Sequence, residues 1–150
     1  MELEIEAASI ENLSRFHEIE KQCFSKEAFT KQQIAYLLTD YNSVGFEARI
    51  STEVVGFVLG RVDLDRNMPF GHIITLDVTP SYRRNGLAQR LLEKIEAIFR
   101  EKGVSEYRLE VRENNFPALN LYQKLGYYQV GKIEGYYGNA DGLYLKKNLE

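Results

Sequence analysis

Apolar and polar residues alternate across LEIEAA near the start of the chain, the period of a strand. The period then changes. In SIENLSRFHEIEKQCF, Leu13, Phe16, Ile19 and Cys23-Phe24 recur at helical spacing, with Ser9 placed to cap. TKQQIAYLLTDY predicts a second, short helix capped by Thr30. VGFEARIS and EVVGFVLGRVD predict two strands joined at Ser51-Thr52-Glu53, a hairpin. GHIITLDVTP predicts a third strand that stops at Pro80. Residues 86–102 carry the clearest helical stripe, made by Leu87, Leu91, Leu92, Ile95, Ile98 and Phe99, and Gly103 ends it. EYRLEVRE alternates as a strand. A short helix is expected from Pro117 to Gly126, and YYQVGKIEGYY and GLYLKKNL predict two closing strands. The order β-α-α-β-β-β-α-β-α-β-β predicts an α+β fold with a mostly antiparallel sheet.

The chain has 150 residues, no internal repeat and no Pro/Gly/Ser-rich linker, so residues 1–150 are expected to form one domain. Its balance of 19 basic against 22 acidic residues argues against a general nucleic-acid binder. Cys23 is the single cysteine, which fits a reducing compartment. His17 and His72 lack metal-ligand spacing, so no metal is expected. The acidic start does not read as a signal peptide, and no run approaches the roughly 20 apolar residues of a membrane span. These readings predict a cytoplasmic protein with no membrane partner.

Against this acidic background, RRNG at residues 83–86 places two arginines and a glycine between a strand and a long helix. The first N–H groups of a helix lack intrahelical partners and, with the helix dipole, attract anions. Gly86 lets a ligand approach the backbone, and Ala88 is small. The same residues could simply open a surface helix. The spacing matches neither a P-loop nor a dinucleotide fingerprint.

R-R-N-G-L-A after LDVTPSY resembles the R/Q-x-x-G-x-G/A acetyl-CoA signature of the GNAT acetyltransferase superfamily. LEVRENNFPALNLYQKLGY resembles the second half of that site, and the likeness reaches YYGNADG. The motifs are similar to those of amino-terminal protein acetyltransferases, both the RimI-like ribosomal-protein-alanine type and the catalytic subunits of the general amino-terminal complexes. The resemblance implies a sheet of about seven strands flanked by about four helices and splayed at the acetyl-CoA site. It implies that backbone N–H groups of Arg84, Asn85, Gly86, Leu87, Ala88 and Gln89 hold the pyrophosphate of coenzyme A, with Arg83 at the first motif position. Leu76, Asp77 and Val78 would pair with the pantetheine arm as an added strand.

The implied chemistry is attack of a neutral amine on a thioester, which needs a base for the amine and a proton for the departing sulfur. By alternation Glu110 shares a strand face with Arg108 and Arg112, and pairing to one of them is the plain reading. The RimI-like pattern makes Glu110, in L-E-V-R, the general base. Tyr122 falls on a helix stripe with Leu119 and Leu125 as a core aromatic would, yet the resemblance makes it the acid that protonates the thiolate. Asn115 could be a cap, and the family uses an asparagine here to contact the coenzyme arm. Tyr136 and Tyr137 resemble a pair lining the peptide side, or could be strand-end packing.

The loop CFSKEAFTKQQ lacks the Pro-Trp step common in RimI-like chains, and DGLYLKKNL lacks their Glu-Asp-Ala step. Glu27 in that loop is a candidate to meet a substrate ammonium, or else a solvated helix-start carboxylate. The expected acceptor is a peptide or protein amino terminus, a ribosomal protein among the candidates, with the enzyme a monomer or weak dimer. A small amine or lysine side chain is the alternative acceptor, and a non-catalytic acyl-CoA-binding module the alternative class.

Overall fold

Val54 to Gly60 is buried at every position, because this strand lies mid-sheet with helices on both faces. The computed structural model describes residues 2–149. Its strands are β1 (Leu3–Ala7), β2 (Ser43–Ile50), β3 (Glu53–Asp65), β4 (Met68–Val78), β5 (Glu106–Arg112), β6 (Tyr128–Ile133) and β7 (Gly142–Asn148). Its α-helices are α1 (Leu13–Phe24), α2 (Lys31–Thr39), α3 (Leu87–Glu101) and α4 (Phe116–Lys124). The seven strands form one sheet in the order β1-β2-β3-β4-β5-β7-β6. Only β4 and β5 run parallel, joined by the crossover through α3.

Two cores flank the sheet. On one face Phe16, Ile19, Ile34 and Leu37 from α1 and α2 meet Val54, Phe57 and Leu59. On the other, Leu91, Leu92, Ile95 and Phe99 of α3 are fully buried against Val55, Val58 and Ile73. Each of these four side chains contributes about 1.5–3 kcal/mol of hydrophobic stabilisation. Two bulges set which residue faces which core. Val55 has no partner between the Ala48–Gly56 and Arg49–Val54 pairs, so Val54 and Phe57 share a face despite their odd spacing. Ile74 is unpaired between Leu59–Thr75 and Gly60–Ile73, which turns Thr75 and Asp77 toward α1.

The predicted element order holds throughout. Thr30 caps α2 in a reciprocal capping box with Gln33. Two strands differ in extent: β4 begins at Met68, not Gly71, and β6 is shorter than read. The cause for β4 is a two-residue hairpin turn at Arg66 (φ 51°) and Asn67 (φ 68°), a left-handed pair that an arginine hides from sequence reading. The closing strand read over YYQVGKIEGYY ends at Ile133, and a loop follows to Asp141.

The sheet is open at its centre. β4 and β5 pair only at Gly71–Tyr107 and His72–Arg108. Gly71 is needed there, since a Cβ would lie 2.4 Å from Cδ2 of buried Phe99. Beyond this rung β4 keeps its ladder with β3, β5 pairs with β7, and the two diverge.

Candidate active site

The divergence opens a cleft of about 1520 Å³. Its walls are the 24–30 segment between α1 and α2, the inner edges of β4 (Ile73–Leu76) and β5 (Leu109–Arg112), Tyr122 of α4, and Tyr136 and Tyr137 of the 134–141 loop. The splay expected at this strand pair is therefore present.

Thr79 N donates to Val55 O at 2.9 Å. By the two-residue alternation of an antiparallel ladder, Asp77 then directs its backbone toward Phe57, while Leu76 and Val78 direct theirs to the open side. This corrects the expectation for Asp77. Its side chain is also buried, at 1% exposure, where Thr75 Oγ1 lies 2.6 Å from Asp77 Oδ1 and 2.9 Å from Glu20 Oε1. One hydroxyl carries one proton, so it donates to one carboxyl and accepts from the other, which must be protonated. Burial first, then the charge and hydrogen bond of Glu20, push the Asp77 pKa well up.

The turn after β4 lies outside the cleft, on the surface. Arg84 (φ 67°) and Gly86 (φ 77°) both adopt left-handed conformations. No atom comes within 4 Å of a Cβ built at Gly86. Intrahelical bonding starts with Arg90 N to Gly86 O at 3.1 Å, which leaves the N–H groups of Leu87, Ala88 and Gln89 free of helical partners. Arg83 is turned away from this turn: Nε donates to Val78 O at 3.1 Å and Nη2 lies 3.3 Å from Cys23 Sγ. The side chain at the first motif position thus ties the end of β4 to α1.

Glu110 lines the cleft, and its partner is a histidine rather than an arginine. His72 Nε2 lies 2.8 Å from Glu110 Oε1, and His72 Nδ1 lies 3.3 Å from Asp63 Oδ2. Burial disfavours the imidazolium, but Glu110 and then Asp63 outweigh it and hold the His72 pKa above its ordinary value. Arg108 turns to Asp65 and Glu106. Arg112 pairs with Glu27 and donates to Asn114 and Asn139, each at 2.9 Å. Glu27 is thus charge-matched from within, and the Arg112 guanidinium bridges the 24–30 segment to the 134–141 loop.

Tyr122 serves as core and as wall: it is 8% exposed, edge-on to Tyr127 at 5.6 Å, and it lines the cleft. Burial and then Asp77 raise its pKa, so the phenol stays protonated. Asn115 accepts from Ala118 N at 3.3 Å and caps α4 while lining the cleft. Tyr136 and Tyr137 stack edge-to-face at 4.9 Å, and burial and then Tyr136 push the Tyr137 pKa up to about 12. Cys23 is half-buried, with a thiol pKa raised by burial and then by Asp77. The sequence reading passes over Asp63 and takes His72 as the start of the strand leading to the coenzyme, a minor candidate to titrate near the substrate. His72 stands at the last β4–β5 rung, but nothing in a linear reading shows that rung. Among the described residues, no three His, Cys, Asp or Glu side chains converge as metal ligands, and no helix is long and apolar enough to cross a membrane.

Comparison with known proteins fits this geometry. The model of the acetyltransferase (GNAT) family matches residues 13–127. An N-alpha-acetyltransferase of Saccharolobus solfataricus is 32% identical over 117 residues, which cover 72% of this chain and 70% of that protein. The fold also matches a crystal structure of the NatC complex bound to Gag peptide and CoA, with a TM-score of 0.90 at 23% identity and full coverage of both chains. It matches a ribosomal-protein alanine N-acetyltransferase from Escherichia coli with a TM-score of 0.87 at 22% identity, covering 99% of this chain and 95% of that one. The chain belongs to the GNAT acetyltransferase family.

Proposed function

We propose that this chain transfers the acetyl group of acetyl-CoA directly to the free amino terminus of a protein. The observation that carries this reading is one cleft in which the open β4 edge, the Glu110–His72 pair and the Tyr122 phenol face a common space, in a chain whose 32% identical relative is an N-alpha-acetyltransferase.

The residues present fit the co-substrate. The Arg84–Gln89 turn offers backbone N–H groups and open space at Gly86, which suit a diphosphate. The open backbone edge at Leu76, with the N–H of Val78 beyond it and Val78 O already accepting from Arg83, suits the amides of a pantetheine arm, with Asn115 lining the same cleft. Acetyl-CoA supplies an acyl group activated as a thioester.

Glu110 takes a proton from the acceptor ammonium and leaves a lone pair free to attack. Tyr122 presents its O–H to the leaving sulfur. Burial makes this phenol a weak acid, so it stabilises the thiolate by hydrogen bonding as well as by proton transfer. Tyr136 and Tyr137 form the lip past which the acceptor peptide enters. The Glu27–Arg112 pair closes the opposite wall and leaves the 24–30 segment to shape the pocket for the first residues.

The LEVR string that carries Glu110 supports a RimI-like enzyme with a ribosomal protein among its acceptors. One continuous sheet supports a single acetyltransferase domain over residues 1–150. We place it in the cytoplasm as a monomer or weak dimer. The test is thiol release from acetyl-CoA against short peptides beginning Ala, Ser, Met-Glu and Met-Leu, with spermidine and an amino-blocked lysine peptide alongside. Turnover on a subset of free amino termini is expected. Silence on all peptides with turnover on spermidine or the lysine peptide would overturn the acceptor.

A further inference from the structure

His72 sits between two carboxylates that come from different strands. Asp63 on β3 meets Nδ1 and Glu110 on β5 meets Nε2. Glu110 lines the cleft, whereas Asp63 lies outside it with its side chain 28% exposed. Asp63 is itself held, since Arg61 Nε donates to its other oxygen at 2.9 Å. The charged neighbours of His72 are Arg61 and Asp63 from β3 and Arg108 and Glu110 from β5. Both arginines are engaged by carboxylates, Arg61 by Asp63 and Arg108 by Asp65 and Glu106. Beyond Glu110 stand the phenols of Tyr136 and Tyr137.

A carboxylate in water is a poor base for an ammonium, because the two pKa values lie several units apart. An imidazole flanked by carboxylates is a better final acceptor, and the hydrogen bond at one ring nitrogen decides which tautomer faces the other side. We propose that Asp63 is a positioning residue: it holds His72 through Nδ1 so that Nε2 takes over the proton that Glu110 removes from the acceptor amine. This rests on the reading of Glu110 as the group that meets the amine. The N–H bond of the ammonium breaks and an O–H bond forms on Glu110. That proton then moves to His72 Nε2, giving an imidazolium that donates to both carboxylates. The proton passes to water between turnovers, and Asp63 still accepts from Nδ1–H.

The test compares wild type, Asp63→Asn and Asp63→Glu, with kcat measured against pH at saturating acetyl-CoA and peptide. Wild-type kcat is expected to rise through one ionisation, that of His72. Asp63→Asn keeps the shape and the acetyl-CoA affinity but loses the charge. Its plateau kcat should fall about tenfold and its midpoint should move to lower pH. Asp63→Glu should restore both in part. An Asp63→Asn enzyme with wild-type kcat, or with lower kcat at an unmoved midpoint, would overturn the proposal.

Nitrogen NMR of the wild-type imidazoles tests it without any variant, with His17 as the other ring in the chain. Neutral His72 should carry its hydrogen on Nδ1 and titrate above the ordinary 6.5. A hydrogen on Nε2 in the neutral ring would sink the idea. Wild-type silence on every peptide would instead remove the acceptor assignment, and the tautomer would still be read.

Discussion

Gly86→Ala separates the fold from coenzyme binding. The residue caps α3 at φ 77° and ψ 8°, a conformation that costs an L-residue about 1–2 kcal/mol. A Cβ there meets no atom within 4 Å, so strain is the whole cost to the fold. For a domain of this size, that lowers the melting temperature by about 2–8 °C. The added methyl projects into the space through which a diphosphate would approach the turn. Losing one charge-assisted hydrogen bond costs about 1.5–3 kcal/mol, which weakens acetyl-CoA binding roughly 10- to 150-fold. Gly103 is the matched control, with φ 79° and open space at its Cβ, at the far end of the same helix. Gly103→Ala should lose similar stability and keep wild-type affinity. Thermal melting and calorimetric titration with acetyl-CoA measure both quantities. Equal affinities in the two variants would refute the placement of the coenzyme at this turn.

Glu110→Gln should cut kcat by about 10²- to 10⁴-fold with acetyl-CoA affinity intact, as stopped-flow thiol release would report; a near-wild-type rate removes Glu110 from its role. Tyr122→Phe should slow turnover about 10²-fold and change stability by less than about 0.5 kcal/mol, and a normal rate would show that the hydroxyl is only part of the core. Asp77 keeps its proton longer in the folded chain than the unfolded value of 3.8 would allow, so stability is lost as pH rises from there toward the folded value. Asp77→Asn should flatten the melting-temperature curve between pH 4 and pH 8, and curves of equal slope would contradict the buried neutral carboxyl. Gly71→Ala should cost about 1–3 kcal/mol in urea denaturation by displacing Phe99, and a loss under about 0.5 kcal/mol would show that the rung adjusts freely.

Periodicity along the chain was enough to read the element order, the α3 stripe and the Thr30 cap, because these depend on neighbours within four residues; Ser9 caps the short 3-10 turn at Ile10–Asn12 that precedes α1, not α1 itself. The glycine turn was legible for the same reason: a strand end, a left-handed glycine and a helix start are contiguous. The 66–67 turn escaped because a left-handed arginine carries no compositional mark. Contacts across the sheet were beyond reach. Glu110 reads as a neighbour of two arginines along its own strand, but the β4–β5 register brings His72 to it and the α1–α2 segment takes Arg112. Asp77 reads as one residue of an open edge, yet ladder alternation turns its backbone toward β3 and the Ile74 bulge aims its carboxyl at Glu20. Local order along a chain depends on propensity and period. The partner of a side chain depends on register and crossover, which arise only when distant segments pack.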